Sequence, residues 1–260
     1  MPEEALRPDP VPLSGGPRLS VVLPAFEAAE FVADALATVR QALQGLAEDG
    51  GIELVVVDDG SPDGTAAAAR AGGADQVVRL PANRGKGAAV RAGMLAATGR
   101  TVAFTDVDLA YPPEQLARLC TVVEQGWDVV VGNRRHPDSV VPRGSAVRQL
   151  GSAIFNLFSH VVLLGDYRDT QCGLKLFRRD AARSIFARTR IDRFAFDVEV
   201  LHLVEHDRLR LREEPVVLES TDVTTVRFGR AAISMLRDVI RIRRLSARGG
   251  YDLPVPSRSA

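Results

Sequence analysis

The first 130 residues alternate short apolar runs with segments whose apolar residues recur at helical spacing. The predicted strands, rich in β-branched residues, are Leu19–Leu23, Ile52–Val57, Gln76–Leu80, Thr101–Thr105 and Asp128–Val131. The segments between them predict helices over Ala28–Leu46, Thr65–Ala71, Gly87–Ala97 and Pro113–Glu124. The run Leu54–Val57 is apolar without alternation, which is typical of a strand covered on both faces. This order of elements predicts an α/β fold with a mostly parallel sheet flanked by helices.

The second half of the chain is less regular. Its pattern predicts helices over Ala146–Leu164, Asp180–Phe186, Asp197–His206 and Arg230–Leu245, and strands over Gly173–Phe177 and Leu209–Leu218. We expect both halves to share one sheet, in a single catalytic domain over residues 18–227 followed by a basic amphipathic helix over 228–248. Residues 1–17, which hold five of the fifteen prolines, and residues 249–260 are expected to be flexible tails.

Charge and cysteine content narrow the class of protein. The formal net charge is zero, so no overall field attracts nucleic acid, and we expect no nucleic-acid partner. Cys120 and Cys172 lack metal-ligand spacing, and reduced thiols fit a cytoplasmic location. No run approaches the roughly 20 apolar residues that span a bilayer. We therefore expect no membrane span and a cytoplasmic location, with contact at the cytoplasmic face of a membrane left open.

Carboxylates follow two of the predicted strands, in Asp58-Asp59-Gly60-Ser61 and in Asp106-Val107-Asp108. Parallel strands bring their carboxyl ends to one edge of the sheet, where ligands of such folds bind. Either pair alone is equally explained as a turn, but two pairs on one edge favour a functional site. Hard cations such as Mg²⁺ or Mn²⁺ take oxygen ligands and neutralise a nucleoside diphosphate. The motif Asp106-Val107-Asp108 therefore predicts a metal and diphosphate site.

A glycine-rich cationic segment, Asn83-Arg84-Gly85-Lys86-Gly87, precedes the third predicted helix. Glycine permits close approach of the backbone to a ligand, and a helix N-terminus presents free N–H groups to an anion. The spacing differs from that of a P-loop. The segment predicts an anion-binding loop, with a solvated surface loop as the alternative.

Together these motifs and Pro24-Ala25-Phe26 resemble those of the inverting family 2 glycosyltransferases, which have the GT-A fold. Two later segments, residues 168–177 and 194–199, are similar to the branch that contains dolichyl-phosphate β-glucosyltransferases and bacterial polyprenyl-phosphate glycosyltransferases. The resemblance covers residues 18–245. It implies transfer of a hexose, glucose from UDP-glucose, with inversion to a polyprenyl phosphate, assisted by Mg²⁺ or Mn²⁺.

The resemblance also implies roles for individual residues. The donor nucleotide would be bound by Pro24, Ala25, Glu27, Asp58, Asp59, Lys86 and Asp106. Within this set Asp59 supports the pocket, and Glu27 stands where the family often has asparagine. Asp106 and Asp108 would bind the metal, and Asp108 and Asp197 are the candidate catalytic residues.

Arginines after the fifth predicted strand are candidates for binding the acceptor. By resemblance Arg134 and Arg148 would grip its phosphate and Gln171 would line the acceptor side, with a solvated basic loop as the alternative for the arginines. A lipid phosphate is already anionic near neutral pH, so it needs orientation and charge screening rather than a strong base.

The predicted helix Arg230–Leu245 is expected to contact the membrane surface. It places Ile233, Leu236, Val239 and Ile240 near one face and several arginines beside it. The alternative is that this helix packs on the sheet. Other functions also remain open, namely a soluble hydroxyl acceptor, mannose from GDP-mannose as donor, or nucleotide-sugar binding without turnover.

Overall fold

The computed structural model describes residues 16–46, 50–142, 169, 171–219 and 228–252, with the backbone alone for 228–233. Its strands are β1 Leu19–Ala25, β2 Ile52–Asp58, β3 Gln76–Arg79, β4 Thr101–Phe104, β5 Val129–Asn133, β6 Lys175–Arg178 and β7 Leu211–Pro215. Its α-helices are α1 Val32–Ala42, α2 Thr65–Ala71, α3 Lys86–Ala96, α4 Glu114–Glu124, α5 Arg179–Arg188, α6 Phe196–His206 and α7 Phe228–Ala247. All seven strands join one sheet in the order β3-β2-β1-β4-β6-β5-β7.

Four neighbouring strands form the parallel part of the sheet. β1 lies between β2 and β4, β3 lies outside β2, and every pair among them runs parallel. β1, β2 and β4 carry buried apolar residues on both faces, as expected for strands covered by helices on either side, whereas the edge strand β3 is only partly buried. The structure confirms the predicted α/β GT-A fold with a mostly parallel sheet.

Strand β6 runs antiparallel to both of its neighbours, β4 and β5. The alternation of elements did not predict this reversal. Its first residue, Lys175, pairs with Phe104 at the end of β4 and with Val131 near the end of β5. The residues that precede β6 therefore meet the residues that follow β4 at the same edge of the sheet.

Successive strand residues point to two separate apolar layers. On one side Val22 packs with Met94 of α3 and Ile185 of α5. On the other side Leu23 packs with Leu36 of α1, in a layer that also includes α4. Helix α3 approaches the sheet closely because of Gly93, where an added Cβ atom would lie 2.3 Å from Val22 Cγ1.

Two predicted elements differ from the observed ones in length. The helix predicted over Ala28–Leu46 begins only at Val32, because the preceding residues form a loop in which Ala28 N donates to Thr65 Oγ1. It ends at Ala42 and is followed by a 3-10 turn. The strand predicted over Leu209–Leu218 contracts to Leu211–Pro215, because Arg208 adopts a positive φ of 53° just before it. The helix predicted over Ala146–Leu164 lies outside the described residues.

Helix α7 divides its apolar side chains between the core and the solvent. Val239 and Ile242 are buried and join the layer that contains α3 and α5. Leu236 and Ile240 are 39% and 43% exposed. The prediction that Val239 shares the membrane-facing side was therefore wrong, since the helix turns this residue towards the core. Within the ranges that the structure covers, no helix is both long enough and apolar enough to cross a membrane.

Candidate active site

Asp58 ends β2 beside the end of β1, with Ala25 as its register partner. Its side chain is fully buried, and Oδ1 accepts a hydrogen bond of 2.8 Å from Ser61 N. Its other oxygen, Oδ2, lies 3.3 Å from Arg79 Nε, but no group in the described part of the chain donates a hydrogen bond to it. A buried carboxylate oxygen without a donor is costly, so this position suits an N–H or O–H group of a ligand.

The end of β1 supplies the backbone beside Asp58. Ala25 is buried and its carbonyl accepts a 2.9 Å hydrogen bond from Asp59 N, while Pro24 is half-buried. Glu27 adopts a positive φ of 52°, and its backbone N donates to Ser61 Oγ at 3.0 Å. The Glu27 side chain is exposed. The structure thus brings Pro24, Ala25 and Asp58 together and leaves the carboxylate of Glu27 in solvent.

Asp59 holds the glycine-rich loop through the backbone. Its Oδ1 accepts from Arg84 N at 2.9 Å, and its Oδ2 accepts from Gly85 N at 2.8 Å. Gly85 has a φ of 108°, and a Cβ atom there would lie 2.7 Å from the carbonyl oxygen of Asp192, so only glycine fits. Because both oxygens of Asp59 are occupied, this residue supports the pocket instead of offering a free carboxylate to a ligand.

Lys86 begins α3 directly after that loop and reaches across to β4. Its Nζ lies 2.5 Å from Asp106 Oδ1. Burial disfavours the charge of Lys86, but the nearby carboxylates of Asp106, Asp197 and Asp108 outweigh burial and raise the pKa of the ammonium group. The lysine is therefore a fixed positive charge among three carboxylates.

Asp106 and Asp108 follow β4 in a tight turn, in which Leu109 N donates to the carbonyl of Asp106 at 3.0 Å. Asp108 Oδ1 accepts from Ala110 N at 3.1 Å. Burial, and then the adjacent charge of Asp106, raise the pKa of Asp108. Gly173, just before β6, makes room for Asp106, since a Cβ atom there would lie 2.6 Å from Asp106 Oδ2.

These two carboxylates fit a hard divalent cation. In the parts of the chain that the structure describes, no group of three or more His, Cys, Asp or Glu side chains is arranged to hold a metal alone. Mg²⁺ is commonly held by one or two carboxylates together with substrate phosphates. A cation would also offset the burial and the charge of Asp106, which together raise the pKa of Asp108. The donor set therefore suits a cation that arrives with a diphosphate.

Asp197 lies in the first turn of α6 and pairs with a lysine that sequence reasoning missed. Lys175 of β6 is fully buried, and its Nζ donates to Asp197 Oδ1 and to the carbonyl of Cys172, both at 2.6 Å. Burial raises the pKa of Asp197, against the attraction of Lys175 and Lys86, which lowers it. The available sequence signal was a lysine directly before the apolar residues Leu176 and Phe177. Lysine is almost never fully buried unless it is paired.

On the acceptor side, Arg134 follows β5 and is bound by Asp169, a second partner that sequence reasoning missed. Its Nε and Nη2 each donate to Asp169 at 2.7 Å, and its backbone N donates there at 3.0 Å. Burial opposes the charge of Arg134, but the bonds to Asp169 outweigh it and raise the pKa of the guanidinium group. Gln171 N donates to the same carboxylate at 3.2 Å, so Asp169 joins Arg134 and the backbone of Gln171. Arg148 lies outside the described residues.

Comparison with known proteins shows which family and which proteins this chain is similar to. The family model described as "Glycosyl transferase family 2" matches residues 20–186. The chain is 32% identical over 203 residues to a dolichyl-phosphate beta-glucosyltransferase of Dictyostelium discoideum, covering 74% of this chain and 62% of that protein. It is 35% identical over 216 residues to a protein of the same name from Drosophila melanogaster, covering 76% and 66%. The chain thus spans less than two thirds of the length of both relatives.

The fold is also shared with a solved structure. Glucosyl-3-phosphoglycerate synthase from Mycobacterium tuberculosis, in complex with Mn²⁺, uridine diphosphate and glucosyl-3-phosphoglycerate, superposes with a TM-score of 0.65 at 24% identity. The match covers 93% of this chain and 82% of that one. At this identity the likeness establishes the fold.

The Lys175–Asp197 pair yields a stability prediction. We expect Lys175→Met to lower the free energy of unfolding by about 3–5 kcal/mol, because it leaves the Asp197 carboxylate buried without its partner. Adding Asp197→Asn should recover a large part of that loss. Urea unfolding of both single variants and the double variant measures the coupling. Losses that simply add would contradict the pairing.

Proposed function

The chain belongs to glycosyl transferase family 2, and from this premise we propose that it transfers glucose from UDP-glucose, with inversion, to a polyprenyl-phosphate carrier. The observation that carries the proposal is the Asp106 and Asp108 pair, joined to Lys86 at the edge where such folds bind their ligands. The choice of sugar and acceptor is supported by the two relatives named dolichyl-phosphate beta-glucosyltransferase.

The nucleoside would lie at the ends of β1 and β2. Pro24 and Ala25 would line its position, and the unsatisfied Oδ2 of Asp58 would accept a hydrogen bond from the base or the ribose. Asp59 would keep the glycine-rich loop in place through its two backbone bonds. The exposed Glu27 side chain has the weakest support for a donor contact.

Asp106 and Asp108 would hold Mg²⁺ or Mn²⁺. The bound ion would neutralise the negative charge that grows on the departing diphosphate. Lys86 supplies positive charge beside the same carboxylates from the start of α3. The complex of the solved neighbour with Mn²⁺ and uridine diphosphate supports this assignment.

In the proposed reaction a phosphate oxygen of the acceptor attacks the anomeric carbon of the sugar. A carbon–oxygen bond forms there, the bond between that carbon and the diphosphate breaks, and the electron pair leaves with UDP. Attack on the face opposite the leaving group inverts the anomeric centre. Asp169 fixes the guanidinium plane of Arg134 and leaves Nη1 for the acceptor phosphate, which Arg148 and Gln171 would also bind.

Asp197 has a positioning role in this scheme. An acceptor phosphate is anionic near neutral pH, so no base is needed to generate the nucleophile. Asp197 is buried and already accepts a hydrogen bond from Lys175. Its carboxylate also attracts Lys86. We infer that Asp197 holds the two lysines in place beside the diphosphate.

Contact with a membrane would bring the lipid acceptor to this site. Helix α7 presents the exposed side chains of Leu236 and Ile240, with exposed Arg237, Arg241 and Arg244 along the same helix. Apolar side chains beside arginines suit an interface with anionic lipid. This supports peripheral attachment, which we propose to be at the cytoplasmic face.

A donor and acceptor panel tests the proposal. With Mn²⁺ or Mg²⁺, we expect UDP-glucose and undecaprenyl or decaprenyl phosphate to yield a hexosyl lipid phosphate, identified by mass spectrometry. Undecaprenol, which lacks the nucleophilic phosphate, is the matched control and should give no product. GDP-mannose and 3-phosphoglycerate serve as the alternative donor and soluble acceptor. Product from soluble acceptors alone would refute the lipid assignment.

Removing one metal ligand tests the donor half of the site. We expect Asp108→Asn to lower turnover at least about a hundredfold, because charge on the leaving diphosphate loses its stabilisation. Asp34→Asn, at an exposed position of α1, is the control and should retain wild-type turnover. Steady-state kinetics with varied Mn²⁺ measures both. Normal turnover of Asp108→Asn would remove this residue from the metal site.

Flotation with anionic vesicles tests membrane contact. We expect Leu236→Ser combined with Ile240→Ser to reduce the bound fraction, because burial of each side chain in lipid contributes about 2 kcal/mol. Leu95→Ser removes an equally exposed leucine of α3 and should leave binding intact. Equal binding of the double variant and wild type would exclude this face of α7.

A further inference from the structure

A second cationic site lies behind the glycine-rich loop. A cleft of about 650 Å³ opens between this loop, helix α3, the segment 189–193 and helix α7. Its charged lining consists of Arg84, Arg91, Arg190, Arg193, Arg241, Asp192 and Asp238. Five arginines and two aspartates leave a local charge of +3, whereas the whole chain is neutral. Positive charge is therefore concentrated here without a global excess.

One wall of the cleft is held rigidly by Asp192. Its Oδ2 accepts from Arg84 Nη2 at 2.8 Å, and its Oδ1 accepts from Arg91 Nη2 at 2.6 Å. Burial favours the neutral acid, but the two arginines outweigh burial and lower the pKa of Asp192. These three side chains satisfy one another and form a fixed edge.

Two further arginines of the cleft lining carry unpaired side chains. Arg193 and Arg241 are exposed, and neither side chain has a hydrogen bond or ion pair to any residue in the described ranges. Burial raises the pKa of Asp238, and both arginines act on this residue through charge alone and lower its pKa. Arg190 donates from Nη1 to the carbonyls of Ala187 and Thr189. Exposed arginine side chains without an ion-pair partner, in a cleft of net positive charge, are suited to a bound anion.

We propose that this cleft binds a phosphate-bearing anion with two or more negative charges, gripped by Arg193 and Arg241 beside the edge that Asp192 holds. Two sources share this chemistry, an anionic lipid headgroup and a soluble polyphosphate. The exposed Phe194 follows Arg193, and the exposed Ile240 precedes Arg241, so apolar groups flank both cationic residues. The site needs neither Asp106 nor Asp108 and so stands apart from the proposed metal site.

The cleft shares one residue with the support of the donor pocket. Arg84 binds Asp59 through its backbone N and Asp192 through its side chain. The same loop therefore forms a wall of both sites. An anion bound in the cleft would therefore lie against the loop that bears Lys86.

Calorimetric titration of the full chain with tripolyphosphate tests the site, with EDTA present so that the metal site does not contribute. We expect saturable binding that weakens at least about tenfold in Arg193→Gln with Arg241→Gln, which removes both charged grips. The matched control is Arg183→Gln with Arg243→Gln, two exposed arginines on α5 and α7 outside the cleft. Asp238→Asn should tighten binding by removing an opposing charge. Equal affinity of the two double variants, or no binding by wild type, overturns the proposal.

Competition identifies the source of the anion. Vesicles of phosphatidylglycerol that displace tripolyphosphate, while phosphatidylcholine vesicles do not, would support a lipid headgroup. Retention of tripolyphosphate with both vesicles would support a soluble ligand. Loss of glucosyl transfer in Asp108→Asn with unchanged tripolyphosphate binding would separate this site from the proposed activity.

Discussion

The need to keep buried and neighbouring carboxylates charged is the constraint on which this structure depends. Asp106, Asp108 and Asp197 gather where β4 ends and α6 begins, and partly buried like charges cannot all remain ionised without compensation. Two lysines from different elements supply it. Lys86 lies at the start of α3, and Lys175 lies at the start of β6. The glycine-rich loop leads to Lys86, β6 carries Lys175 and α6 carries Asp197, so these three elements bring the opposite charges together.

Much of the donor half could be predicted because its signals are local. Asp58 ends one strand and Asp106 closely follows another, both strands have an apolar pattern that is visible in sequence, and parallel order alone brings their ends together. The acceptor half depends on pairings between distant residues. Nothing local indicates that Lys175 binds Asp197, or that Asp169 binds Arg134. The reversal of β6, which creates the first pairing, follows from tertiary packing.

Helix α7 illustrates a second limit of sequence patterns. Its apolar residues predict an amphipathic helix correctly, but they do not say which of them meets the core. Val239 packs with Ile242 and Tyr251, whereas Leu236 and Ile240 stay exposed. The helix packs against α6, whose apolar residues lie in the same layer. A helix can thus complete the core on one side and present apolar groups outward on another.

The reversed strand has an evolutionary consequence. β5 ends at Asn133 and β6 begins at Lys175. The connection between them starts and finishes at the edge of the sheet that carries the candidate active site. The entropic cost of closing a loop rises only slowly with its length, so insertions in such a connection cost little stability. Selection can therefore lengthen or replace this one segment without disturbing β1, β2 or β4. An ancestral donor-binding module could thus be combined with new acceptors through changes confined to this one segment.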